Sequence, residues 1–232
     1  MSLGLLAVLF EYVVLMMAIC IHDAAQAWMA WRLGDPTAKM LGRLTLNPAK
    51  HFNWFGCGLW PLIYAVRGAP MIGFGNAVPI TGRNFKKWRR DETIAILAGP
   101  VANLLCAVLC LALLVAFKHA GQDGVATLDA AMRIVFHDRS VNLENTPAVF
   151  PVILLLYFGV FTSLMQFVFN LLPLPYLDGG KLLREFLPYN AKASYDQLAM
   201  PLMIGFMLMG GLVIGIFFSP LLMLFNRLLG AM

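Results

Sequence analysis

Four apolar runs, each near or above the roughly 20 residues needed to cross ~30 Å of hydrocarbon, constrain this chain more than any other feature. Inside a bilayer every backbone N–H and C=O must find a partner within the protein, so such runs fold as helices. The composition agrees, with 60% of the 232 residues hydrophobic, 12% charged and a mean hydropathy of +0.77. We read the chain as an all-α polytopic membrane protein, one integral membrane domain over 1–232. Its spanning helices are expected at about 2–33, 93–117, 147–172 and 198–225.

Between the first two spans, 54–66 is apolar but short and contains Gly56, Gly58 and Pro61, so an interfacial or re-entrant segment is expected there. Residues 68–80 are rich in Gly and Pro with β-prone pieces between, which fits a β-hairpin or a loop folded against the helices. The polar stretch 118–147 reads as an extracytoplasmic loop. The N-terminal run lacks a basic flank and a small-residue cleavage site, so it reads as a retained helix.

The net charge of +5 does not imply nucleic acid, because the cations are placed by topology. Thirteen of the 17 Lys and Arg fall within 32–67, 83–90 and 181–192. The positive-inside rule puts these loops and the adjoining site toward the cytoplasm of a bacterial-type plasma membrane, with both termini outside. The four cysteines, Cys20, Cys57, Cys106 and Cys110, lie in apolar context without C-x-x-C spacing and read as core residues.

Polar groups at membrane depth are costly and mark candidate sites. His22-Asp23-Ala24-Ala25-Gln26 has the spacing of H-E-x-x-H, in which two imidazoles one turn apart bind zinc and the intervening Glu is the general base. Here Asp23 stands at the base position and Gln26 at the second ligand position. Glu11 shares a face with His22 but lies three turns away, about 16 Å, and reads as a packing or interfacial carboxylate. Asp178 follows the Pro173-Leu174-Pro175 break, which either aims its carboxylate into the bundle or leaves it capping the next helix; spacing leaves both open. His51 reads as an interfacial polar residue, and His119 and His137 as solvated ones.

Further motifs run through the chain in order. They are Leu33-Gly34-Asp35-Pro36-Thr37-Ala38, Gly42-Arg43-Leu44-Thr45-Leu46-Asn47-Pro48 with His51, Pro79 to Phe85, Ala98-Gly99-Pro100 with Asn103, and Asn170 to Gly180. Together with His22–Gln26 they resemble the site-2 protease family of intramembrane zinc metalloproteases. The resemblance implies that His22, Gln26 and Asp178 stand at zinc-ligand positions, Asp23 at the catalytic carboxylate position, and Asn170 near the reacting carbonyl. It also implies zinc as cofactor and a client's transmembrane helix as substrate, with the lipid bilayer as surroundings.

Both altered positions weaken that chemistry. Zinc prefers imidazole, thiolate or carboxylate, and Gln26 offers a neutral amide oxygen. Asp23 is one methylene shorter than Glu, and a displacement of about 1 Å can cost about 10²-fold in rate. Weak or absent zinc binding is therefore expected. Three functional classes stand: a client-binding pseudoprotease, an active zinc endopeptidase with an atypical His/Gln/Asp site, and a small transporter. A transporter would show paired broken helices in matching halves, which the sequence lacks.

Overall fold

Helix α1 (Leu3–Leu33) carries its apolar residues on all sides, as a membrane span must. The computed structural model describes residues 3–120, 124–136, 138, 141 and 146–231. Gly34, at φ 114°, ends α1 in a conformation that side chains rarely adopt. Buried Asp35 then fixes the exit. Its carboxylate accepts from the backbone and hydroxyl of Thr37, from Thr81 N at 2.7 Å and from Asn84 Nδ2 at 2.7 Å. Two short helices follow, α2 (Thr37–Met40) and α3 (Pro48–His51), the second capped by the Asn47 side chain.

The short apolar segment is helical and does not span. A π-helical turn, Trp54–Leu59, leads into α4 (Trp60–Val66). Trp60 is fully buried and meets Phe169 at 6.1 Å and Phe206 at 6.4 Å between ring centroids, which anchors this piece in the main core. Residues 68–80 form the loop and not the hairpin: no strand occurs among the described residues. The loop is held at its start by Glu11, whose Oε1 accepts from Met71 N at 2.7 Å. Glu11 is thus a buried packing carboxylate.

The second span, α5 (Trp88–Ala120), begins about one turn before its apolar run. Trp88 to Glu92 are polar apart from the indole, yet Asp91 accepts from Lys87 N at 2.9 Å and places an acid in the first turn, where the helix dipole favours it. The supposed loop at 118–147 contains a helix, α6 (Gly124–Val135), a correction to the sequence reading. Leu128, Ala131, Ile134 and Val135 bury one face of α6 in the main core with α7 (Phe150–Leu171). His119 is exposed, and His137 lies outside the described residues.

Helix α7 occupies the centre. Of its most apolar window 78% is buried, against 39% for α1 and 22% for α5. After it come α8 (Asp178–Phe186), α9 (Tyr189–Gln197) and α10 (Ala199–Ala231). Among the described residues, three helices are long and apolar enough to span, Gly4–Leu33, Trp88–His119 and Phe150–Leu171. The pair Ala199–Gly210 and Ile214–Gly230 forms a fourth, bent by 54°. The bend follows Gly210, a usual site for a kink.

Candidate functional site

Helices α1, α5 and α8 meet around His22, and the sequence explains how each gets close enough. On α5, Gly99 faces the imidazole; a Cβ there would lie 2.5 Å from Nε2. Pro100 has no N–H, so it leaves the carbonyl of Ile96, four residues earlier, without its helical partner. Gln26, one turn after His22, donates from Nε2 to that carbonyl at 2.8 Å.

Asp178 reaches the same point because the chain turns sharply after α7. Tyr176 takes a left-handed φ of 74°, a strained conformation for a side chain with a Cβ. Gly179 and Gly180 let the first turn of α8 press against the preceding backbone; added Cβ atoms would sit 2.1 Å from the Leu171 carbonyl and 1.9 Å from that of Leu174. The Asp178 carboxylate therefore points into the bundle, where its partners are side chains: Gln26, His22 and Lys181. Only 2% of the residue is exposed.

Four groups converge there. Asp178 Oδ2 accepts from Gln26 Nε2 at 2.8 Å and stands 2.8 Å from His22 Nε2, while Oδ1 accepts from Lys181 Nζ at 2.9 Å. Burial by itself would raise the Asp178 carboxyl, but His22 and Lys181 hold it well below the usual carboxylate range. The His22–Asp178 contact is not an aligned hydrogen bond, since Nε2 has no hydrogen-bond partner.

Asp23 lies on the other side of the ring. Its Oδ1 is 3.2 Å from His22 Nδ1, and its Oδ2 meets His51 Nδ1 at 3.0 Å and an Arg43 nitrogen at 3.2 Å. His51 is fully buried, with Nε2 at 2.8 Å from the Thr45 carbonyl. It is not the interfacial residue expected from sequence, because the Asn47-capped turn of α3 carries it inward beneath Asp23. Arg43 was not singled out at all. It also donates to the Asn76 carbonyl, and Asn76 N donates to the His51 carbonyl at 2.8 Å. Asp23 is thereby tied to the 68–80 loop.

That loop covers the site. Gln166 Nε2 donates to the Gly73 carbonyl at 3.0 Å, and Asn170 Nδ2 donates to the Gln166 carbonyl at 3.0 Å and to its side-chain oxygen at 3.2 Å. Asn170 lines the same small cavity as His22, Asp23, Gln26 and Asp178, under residues 73–78. The free space, about 20 Å³, is on the scale of one water. A peptide strand enters only if the loop moves.

His22 and Asp178 are suitable zinc donors and lie side by side. Gln26 does not complete the set. Both of its partners, the Ile96 carbonyl and Asp178 Oδ2, are acceptors, which fixes the amide nitrogen on their side. Turned over to offer its oxygen, the amide would face two oxygens at the same short distance. Two of the three family positions therefore fit a metal ion and the third does not. Among the described residues, no group of three His, Cys, Asp or Glu is arranged to hold one.

Comparison with known proteins fits this geometry into a lineage. The profile of peptidase family M50 matches residues 10–210. YwhC of Bacillus subtilis strain 168, by name only a zinc metalloprotease, is 32% identical over 185 residues, 80% of this chain and 72% of its own length. Rip2 of Mycolicibacterium smegmatis, named in the same way, is 34% identical over 71% of this chain and 52% of its own length. Rip2 of Mycobacterium tuberculosis H37Rv is 30% identical over 80% of this chain and 61% of its own length. The alignments thus span less than two thirds of either Rip2 protein. No solved structure matches the chain significantly.

Proposed function

Because this chain belongs to peptidase family M50, the site-2 protease family, we propose that it is an integral membrane homologue that engages a client's transmembrane helix and hydrolyses it poorly or not at all. The observation that carries the proposal is the orientation of Gln26. In a zinc site the ligating side chain turns a lone pair to the metal and donates its remaining N–H to a second group. Gln26 keeps the donation, to the Ile96 carbonyl freed by Pro100, but aims its other N–H at Asp178. A cation at Asp178 would meet that N–H instead of a lone pair.

Asp23 supports the same reading. A general base must reach the water or hydroxyl it deprotonates. Its carboxylate is engaged by Arg43 and His51, with the His22 ring between it and Asp178. In this reading the basic helix ends face the cytoplasm, and the 68–80 loop shifts to admit an unwound segment of the client. An active zinc endopeptidase is the second reading, favoured by one feature: His22 Nε2 and Asp178 Oδ2 converge to 2.8 Å, close to the ~3.3 Å that two ligands of one tetrahedral zinc keep.

Zinc content of the purified, detergent-solubilised chain separates the two. We expect far less than one zinc per chain, and close to one in the double variant Asp23→Glu with Gln26→His. Stoichiometric zinc in the unaltered chain, lost on His22→Ala, would overturn the proposal. Client engagement is tested by cross-linking a transmembrane peptide to the loop, with capture expected and no cleaved product.

A further inference from the structure

The basic end of the molecule carries a group of cations that the site does not use. Arg83, Lys86, Lys87, Arg89 and Arg90 are all exposed, and among the described residues none forms an ion pair. The Asp35 clamp on Thr81 and Asn84 brings this segment beside the end of α1, and Phe85 packs against Ala30 and Leu33. Exposed Arg32 and Lys39 belong to the same end.

The neighbouring acids, Asp35, Asp91 and Glu92, are outnumbered by these cations and, among the described residues, form no ion pair with them. Asp35 is buried and saturated by its four donors, Asp91 is buried against Lys87 N, and Glu92 accepts from the Trp88 indole at 2.8 Å. Elsewhere Arg184 is paired with Asp196 and Arg133 with Asp138, whereas exposed Lys50, Arg67 and Arg227 stand singly; what marks this end is that its unpaired cations are clustered.

Three exposed indoles stand among these cations. Lys39 Nζ lies 3.6 Å from the Trp31 ring centre, Arg32 lies 5.9 Å from that of Trp28, and Arg89 lies 5.8 Å from that of Trp88. Tryptophan at the ends of spanning helices settles at headgroup level. The rings thus set the depth of the cations at the layer where lipid phosphates lie.

We propose that this surface, built from 83–90 with Arg32 and Lys39, is a docking platform for anionic phospholipid headgroups. Clustered Lys and Arg at the end of a span bind acidic lipid with about fivefold in affinity per cation near the surface. Uncharged-headgroup lipids gain none of this. The platform leads directly into α5, which carries Gly99 and Pro100 to His22, so lipid bound there steadies the helix that forms one wall of the site.

The test uses the full chain in neutral detergent, titrated with phosphatidylglycerol, with phosphatidylcholine and with inorganic phosphate. We expect phosphatidylglycerol to bind at least about tenfold more tightly than phosphatidylcholine, and the preference to shrink in about 0.5 M salt, where screening is short-ranged. The quadruple variant K86Q/K87Q/R89Q/R90Q should lose most of the preference while K192Q keeps it. All four substituted side chains are exposed, and unchanged helicity verifies the fold. Equal affinity for the two lipids, or a preference undiminished in the quadruple variant, would overturn the platform. Displacement of the lipid by millimolar inorganic phosphate would also overturn it, by showing a soluble-anion site.

Discussion

Replacing Gln26 by Ala probes directly whether its amide is a donor or a metal ligand. The substitution removes two hydrogen bonds of 2.8 Å, one to the Asp178 carboxylate and one to the Ile96 carbonyl. A bond to a charged group contributes about 1.5–3 kcal/mol, and a buried carbonyl left without its donor costs about 1–3 kcal/mol. Water can enter the enlarged cavity and recover part of both, so the expected loss is about 3 kcal/mol. For a chain of this size that lowers the unfolding midpoint by about 6–12 °C. Thermal unfolding in detergent, followed by helicity with and without a zinc chelator, reads the effect. The donor account predicts that the chelator leaves the unaltered chain unchanged and Gln26→Ala destabilised in either condition. It is refuted if the substitution costs less than about 1 kcal/mol, or if chelator alone lowers the midpoint as far as the substitution does.

The remaining predictions concern the groups around this core. Arg43→Ala frees the Asn76 carbonyl and removes one partner of Asp23, so amide hydrogen exchange across 73–78 should accelerate at least about tenfold; unchanged exchange would show that Arg43 does not hold the loop. Asp35 is held below the ordinary carboxylate value: burial raises it, but the Thr37 hydroxyl, Thr81 N–H, Asn84 amide and Thr37 N–H together lower it further. A depressed folded value means that the stabilisation is present above the unfolded value of about 3.9 and is lost as pH falls through the folded value. The stability difference between the unaltered chain and Asp35→Asn should therefore be flat from about pH 5 to 7 and shrink below about 4.

The spans were legible because hydropathy is a local property, and a helix in lipid has no competing way to satisfy its backbone. Helix α6 was missed because its polar flanks dominated the reading, although Leu128, Ala131, Ile134 and Val135 recur at helical spacing and could have revealed it. The loop at 68–80 kept both options open in sequence. Gly73 and Gly56 decide it, since a Cβ on Gly73 would lie 2.3 Å from the Gly56 carbonyl and one on Gly56 2.1 Å from the Phe74 carbonyl, leaving a packed loop. At the site, His22, Gln26, Asp178 and Asn170 line one small cavity. His51 and Arg43 did not announce themselves, because their roles depend on where α3 and the following loop carry Asp23's partners. Pro100 was a readable signal of a different kind: a proline inside a span frees a carbonyl, and something must donate to it.

On the proposed reading, the charge arrangement lets the chain keep the scaffold of the family's site with no ion bound. Asp178 is paired with Lys181 and Asp23 with Arg43, so both carboxylates beside His22 already have a permanent cation. Buried charges lacking such partners are strongly destabilising, and these two ion pairs supply that compensation. The two altered positions therefore differ in what they withhold. Gln26→His supplies an imidazole that can face Asp178 and His22 while its other N–H still donates to the Ile96 carbonyl, so this single change should raise zinc occupancy. Asp23→Glu lengthens a carboxylate on the far side of the His22 ring, so alone it should leave occupancy unchanged. If Asp23→Glu alone gains zinc, the carboxylate reaches the metal position past the ring, and the division of roles between the two sides of His22 is wrong.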